Sequence, residues 1–337
     1  MTSPTSPTSG DTPNRRQWLG LALAATATAT ITGLALAQST AFPTKPITLL
    51  VPYGAGGPTD QHLRALAEVA GQQLGQPVVL DNRPGANGTN AAAALARAAA
   101  DGYTLAILPA SVYREPFINK VPYDPATTFS YLLLLSDYTF GLAVPANAPW
   151  KTWADFAADA KRRPGKINVG AAGAIGTPRI VMDEIAAAAG IELNMVPYKG
   201  DADITAALLG GHLDAAPLSG VAMPHIESGK LRYLVMLTEK PLPNDSKTPT
   251  LVDSGIPLWI DSPYGLAAPR GLPPERAQRL HDAFKKALES PASQKVMAQL
   301  NQRANYLGPT EYRAYAIQTL AREKTRVARL RERGQLD

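Results

Sequence analysis

The 337 residues carry a formal net charge of +5, of which Asp11, Arg15 and Arg16 contribute +1 within the first 37 positions and the remainder +4. No tract interleaves basic and aromatic side chains, so nucleic acid is a poor partner, and the absence of cysteine excludes disulfides, thiolate metal sites and cysteine nucleophiles. Apolar residues make up 45% of a length that suits two domains or one large one.

In chain order, a polar stretch over 1–14 precedes Arg15–Arg16, then an apolar stretch over 19–37 ends in Ala35, Leu36 and Ala37. A charged start, an apolar middle and a small-x-small end are the parts of a cleavable signal peptide, expected here over residues 1–37, and they imply export to the periplasm. The arginine pair with Trp18 and Leu19 is similar to a twin-arginine signal, although Asn14 replaces the usual Ser or Thr. An uncleaved anchor is the alternative, and a short Thr-rich stretch suits it poorly.

The run "ITLLV" over 47–51 reads as a buried strand, and Leu63, Leu66, Ala67 and Ala70 fall at helical spacing within a helix predicted over 58–74. Between them lies the turn Tyr53, Gly54, Ala55, Gly56, Gly57, Pro58, Thr59 and Asp60. Pro58 suits the first helical turn, where its missing N–H costs nothing. The glycines allow close backbone approach, and free N–H groups at the positive helix end favour an anion. A phosphate-binding P-loop is excluded because no Gly-Lys-Ser/Thr follows. A dinucleotide fingerprint is excluded because Thr59 stands where a small residue is needed. A tight turn with no ligand is the plain alternative.

Strand-like and helix-like stretches then alternate. Strands are expected at 77–82, 103–109, 131–145, 167–172, 194–200, 213–219 and 231–237. Helices are expected over 87–100, 152–165, 179–190 and 202–212, and two long ones near the end at 275–290 and 309–332. The dense charge run over 322–333 reads as a solvated helix face. Alternation of this kind predicts an α/β fold with mostly parallel sheets, in which ligands sit beyond the carboxyl ends of strands. A second glycine turn, with Gly173, Gly176 and Thr177, occupies that position about 120 residues after the first. Two such loops suggest two lobes facing one cleft.

Catalytic chemistry is not assembled. His62, His212, His225 and His281 are each unpaired at metal spacing, and no nucleophile elbow occurs. Asp60 reads as tying down its own loop, and Asp201 and Asp203 as capping a surface turn. Arg83 reads as either a carboxylate partner or half of a structural ion pair. No catalytic residue, metal or cofactor is assigned.

Taken together, "PITLLVPYGAGGPTD", "PVVLDNRPGANGTNAA", "DGYTLAIL", "VPYKGDADITAALLGGHLD", "ESGKLRYLVM" and "YGLAAPRGLPPERAQRLHDAFKKAL" follow one another in a familiar order and spacing. Over residues 42–310 the chain resembles the substrate-binding proteins of tripartite tricarboxylate transporters, the Bug family. The resemblance implies a type II periplasmic-binding-protein-like fold of two α/β lobes around a central ligand cleft. Lobe 1 would comprise 38–143 and 264–337, and lobe 2 residues 144–263. It also implies a small-molecule carboxylate held by the two glycine turns, with Ala110, Ser111 and Tyr198 helping to line the cleft. The partners would be membrane transporter subunits of the same tripartite type; the receptor would be a monomer by default.

Some positions depart from the family pattern. Ile180 and Val181 replace a histidine and a leucine, and Asn87 and Gly88 replace two glycines. Leu218, followed by Ser219, stands where the family often carries an aspartate. That exchange implies a more apolar cleft, a poor ammonium site, and hence a mono- or dicarboxylate without an amine. A sensory receptor feeding a signalling partner is the alternative function; an enzyme using Asp60 would need a nucleophile and a base that the sequence does not offer.

Overall fold

The computed structural model describes Met1, Ser3 and residues 42–173, 175–242, 247–260, 262–334 and 336. The expected signal peptide lies outside the described residues. The chain divides into two units, Met1–Thr44 and Lys45–Asp337, and every helix and strand described belongs to the second.

Two sheet systems organise the second unit. In the first, β1 (Ile47–Val51) pairs in parallel with β2 (Val78–Asn82) and β3 (Thr104–Pro109). Beside them, β10 (Pro263–Pro269) runs antiparallel to both β3 and β4 (Phe129–Asp137), and β11 (Arg303–Leu307) antiparallel to β4. The six strands lie in the order β11-β4-β10-β3-β1-β2. In the second system, β5 (Gly141–Pro145) sits between β8 (Ala216–Leu218) and β9 (Leu231–Met236), antiparallel to each. There, β6 (Asn168–Ala172) and β7 (Asn194–Tyr198) pair in parallel, and a bridge from Val169 to Ala215 joins them to the approach to β8.

The expectation of mostly parallel sheets is therefore corrected: only the βαβ units are parallel. The apolar run over 131–145 also divides, with β4 ending at Asp137 in one sheet and β5 beginning at Gly141 in another. An apolar run identifies buried backbone but not the sheet that takes it.

Helices cover the sheets with their apolar faces. In the first lobe these are α1 (Pro58–Leu74), α2 (Asn90–Leu95), α3 (Ser111–Arg114), α8 (Pro274–Leu288), α9 (Pro291–Gln299) and α10 (Pro309–Glu332). In the second they are α4 (Trp153–Arg162), α5 (Thr177–Ala189), α6 (Asp201–Leu209) and α7 (Met223–Glu227). Helix α8 shows the logic: Leu280, Ala283, Phe284, Ala287 and Leu288 recur at three- and four-residue steps and are all buried. Each lobe has its own core. Leu50, Leu95, Leu108, Tyr113, Leu134 and Tyr312 belong to one, and Ala143, Ile204, Leu208, Leu213, Ala216 and Leu218 to the other.

Candidate functional site

Both glycine turns leave the carboxyl end of a parallel strand and open a helix, β1 into α1 and β6 into α5. Both helices carry proline in the first turn and begin from an extended glycine, Gly57 or Gly176. The early N–H groups of such a helix have no intrahelical acceptor.

In the first turn, Gly54, Ala55 and Gly56 are exposed, Tyr53, Gly57 and Pro58 half-buried, and Thr59 and Asp60 buried. Asp60 ties the loop down from within. Its carboxylate accepts from the Gly56 N–H (2.9 Å), Arg64 Nε (2.8 Å) and Asn82 Nδ2 (3.1 Å). Burial pushes the Asp60 carboxyl up, but the hydrogen bonds from Arg64, Gly56 and Asn82 outweigh it and hold the group below the usual carboxylate range. One N–H of the turn is thus already engaged, and Arg64 is consumed with it. The Thr59 hydroxyl is hydrogen-bonded to the Tyr138 phenol. Tyr138 packs edge-on to Tyr53, with ring centroids 6.3 Å apart, and against Tyr264 at 4.7 Å.

The second turn lies against the first lobe. Gly173 has φ +69°, and a Cβ there would approach Asn87 Oδ1 to 2.6 Å. At Gly176 a Cβ would meet the carbonyl oxygen of Ala172 at 2.1 Å, so any side chain displaces the turn. Asn87 itself adopts φ +53° and accepts from the Ser111 hydroxyl (2.6 Å) through its carbonyl. Ala110 and Ser111 are buried at the end of β3, and Thr177 is buried at the start of α5. The carbonyl of Tyr198, the last residue of β7, accepts from the Gly173 N–H at 2.9 Å. The structure thus brings Gly173, Ile175 and Thr177 together with Asn87, Ser111 and, through Arg114, the end of α3. Arg114 Nη1 donates to the Ile175 carbonyl (3.0 Å) and Nη2 to Thr177 Oγ1 (3.2 Å).

Two expectations change. Leu218, read as an apolar cleft wall, is fully buried in the core of the second lobe, because strand β8 packs against helix α6 and places Leu218 among Ile204, Ala207 and Leu208. Asp201, read as a surface cap, accepts from the Ser219 hydroxyl at 2.7 Å. Burial pushes its carboxyl above the usual range despite hydrogen bonds from the Ser219 side chain and backbone. Burial raises the Tyr53 phenol above its ordinary range, and the charge of Asp201 adds to that. Arg83 is engaged by Asp81 at 2.7 Å. Sequence reading passed over Asn87 as a binding-loop residue, and over Arg114 and Tyr138 altogether. Asn87 carried a signal, a side chain where the pattern has glycine; a single arginine and a single tyrosine carried none.

Residues 62–331 match the family described as tripartite tricarboxylate transporter family receptor, and the chain belongs to it. It is 40% identical over 296 residues to a Cupriavidus necator protein, "UPF0065 protein in gbd 5'region", spanning 88% of this chain and 90% of that one. Among solved structures, R. palustris Rpa4515 with adipate is 28% identical with a TM-score of 0.79, covering 85% of this chain and 97% of its own. MatC from Rhodopseudomonas palustris with bound malate is 26% identical with a TM-score of 0.76, covering 85% and 100%. The protein is a solute-binding receptor of the periplasmic-binding-protein kind rather than an enzyme. Among the described residues no helix is long and apolar enough to cross a membrane.

Proposed function

We propose that this protein is exported, loses residues 1–37, and captures a small carboxylate without an amine for a tripartite tricarboxylate-type membrane transporter. The observation that carries the reading is the pair of glycine turns, each opening a helix at a strand's carboxyl end, with the second seated against the first lobe at Asn87. Backbone N–H groups and hydroxyls then supply the anion site. No free guanidinium is needed, and Arg64, Arg83 and Arg114 are all engaged by acids of the chain. The adipate and malate found in two relatives are both dicarboxylates, which supports the ligand class.

Tyr53 to Asp60, Ala110, Ser111, Gly173, Gly176, Thr177 and Tyr198 form the proposed cleft lining. The lobe crossings are proposed near Ala143 and Pro263, in keeping with β5 and β10 joining different sheets. An ammonium group is disfavoured because Leu218 stands where the family often carries an acid, and the Asp201 carboxylate already accepts from the Ser219 hydroxyl.

A thermal-shift panel of adipate, malate, benzoate, aspartate and adipamide tests the reading on residues 38–337. A ligand at 100 times its Kd stabilises by about 2.7 kcal/mol, which raises the melting temperature measurably. Stabilisation by the amine-free acids is expected; stabilisation by aspartate or adipamide alone would contradict the proposed ligand class.

A further inference from the structure

Arg114 is 1% exposed, and each of its three guanidinium nitrogens makes a hydrogen bond. Besides the two bonds to the second turn, Nε donates to Glu323 Oε2 at 2.6 Å. Burial pushes Glu323 up, yet the adjacent Arg114 and Arg326 outweigh it and hold the carboxyl below its usual range, so it stays charged. Arg326 Nη1 donates to the other Glu323 oxygen (2.7 Å), and its Nε to Glu184 Oε1 (3.1 Å). Thr177 and Glu184 both lie on α5, whereas Arg114 ends α3 and Glu323 and Arg326 lie on α10. Helix α5 is therefore gripped at its first turn and again two turns further on.

Donor and acceptor chemistry fixes one further proton. A guanidinium only donates, so Thr177 Oγ1 must be the acceptor in its bond with Arg114. The hydroxyl's own proton is then directed away from Arg114, beside the first N–H groups of α5, which have no intrahelical acceptor. Ser111 is in the opposite condition, because its proton is spent on the Asn87 carbonyl.

We infer that Arg114 is a positioning residue for ligand capture: it seats the 175–177 turn and commits the Thr177 hydroxyl to donate to an anion in the cleft. This deepens the receptor reading and rests on it. The committed Thr177 proton favours a carboxylate, whose two oxygens both accept, over the amide, which replaces one acceptor with a donor. A buried ion pair that merely stabilised the fold would leave that discrimination untouched.

The test is a double-substitution cycle read by isothermal titration calorimetry with adipate and adipamide, or malate and malamide if malate is the acid bound. The native chain is compared with Arg114→Lys, Thr177→Val and both together. Lysine keeps the charge beside Glu323 but cannot fork to Ile175 and Thr177. Each single variant is expected to weaken acid binding about tenfold, the worth of a hydrogen bond to a charged group, and to narrow the preference over the amide. In the double variant the combined loss should fall short of the product of the two. Acid affinity within twofold of native in Arg114→Lys, or losses that multiply in full, overturns the inference while the receptor stands. A native protein that binds none of adipate, malate and benzoate overturns the receptor reading and the inference with it. Should Arg114→Lys fail to fold by circular dichroism, Arg114→Met with Glu323→Met strands no buried charge and enters the same cycle with the same criteria.

Discussion

His62 shows how one side chain ties the core to solution conditions. It is 0% exposed on α1, with Nδ1 at 2.5 Å from the Tyr264 hydroxyl and Nε2 at 3.0 Å from the Ser293 hydroxyl. Burial lowers its pKa from 6.5 to about 4. The unfolded chain therefore binds a proton between those values while the folded chain does not. Stability contributed by the neutral ring is complete above pH 6.5 and is lost as pH falls towards 4, by about 3 kcal/mol in all. Denaturant midpoints measured across pH 4–7 should fall accordingly, and His62→Gln should flatten that part of the profile. The sequence marked His62 only as unpaired at metal spacing, and left open whether it is buried or exposed. What it could not supply was the partners, because Tyr264 and Ser293 lie more than 200 positions away.

At the scale of elements, legibility followed locality. The α4 start was readable because its signals are consecutive. The Thr152 side chain accepts from the Asp155 N–H, and Asp155 accepts from the Thr152 N–H. Thr152→Ala should cost about 1 kcal/mol in urea unfolding, and Thr152→Ser close to nothing. The two glycine turns were equally legible, since strand, glycines, proline and helix follow in order. Strand β11 was not: it is a short, largely exposed edge piece with no alternation to announce it. Strand β10 was not expected either, and its direction was hidden for a different reason. Its neighbours β3 and β4 precede it by more than 120 residues, and the chain visits the other lobe in between. The Arg114–Glu323–Arg326–Glu184 chain draws on three helices, and no local pattern encodes it.

For the molecule as a whole, a second meeting of the lobes lies around residues 300–302, after α9. The Thr139 hydroxyl, between β4 and β5, donates to the Asn301 carbonyl, and Asn301 Nδ2 lies 3.9 Å from Met223 Sδ. At Gly220, between β8 and α7, a Cβ would fall 1.7 Å from the Leu300 carbonyl oxygen. Both sides of that contact are backbone, so a methyl cannot be absorbed by turning a side chain. Gly220→Ala should lower stability by about 1–3 kcal/mol, with the denaturant midpoint moving and the slope unchanged. In the proposed receptor this contact and the Arg114 contact are separate places where the lobes meet. Substitution at Gly220 should therefore alter stability more than acid-over-amide discrimination, the reverse of what is expected at Arg114.

The engagement of Arg64 by Asp60, of Arg83 by Asp81 and of Arg114 by Glu323 has a consequence for the medium in which the protein works. A binder that attracts its ligand with a bare cation loses grip as dissolved salt accumulates, because mobile ions screen the charge over about 10 Å at 0.1 M. A site formed from oriented dipoles at contact distance has little long-range field to lose. Capture should consequently proceed with nearly the same Kd in dilute and in saline surroundings. Calorimetric titrations at 0.01 M and 0.5 M sodium chloride would show it, and a Kd that rises steeply with salt would reveal an unpaired cation in the cleft after all.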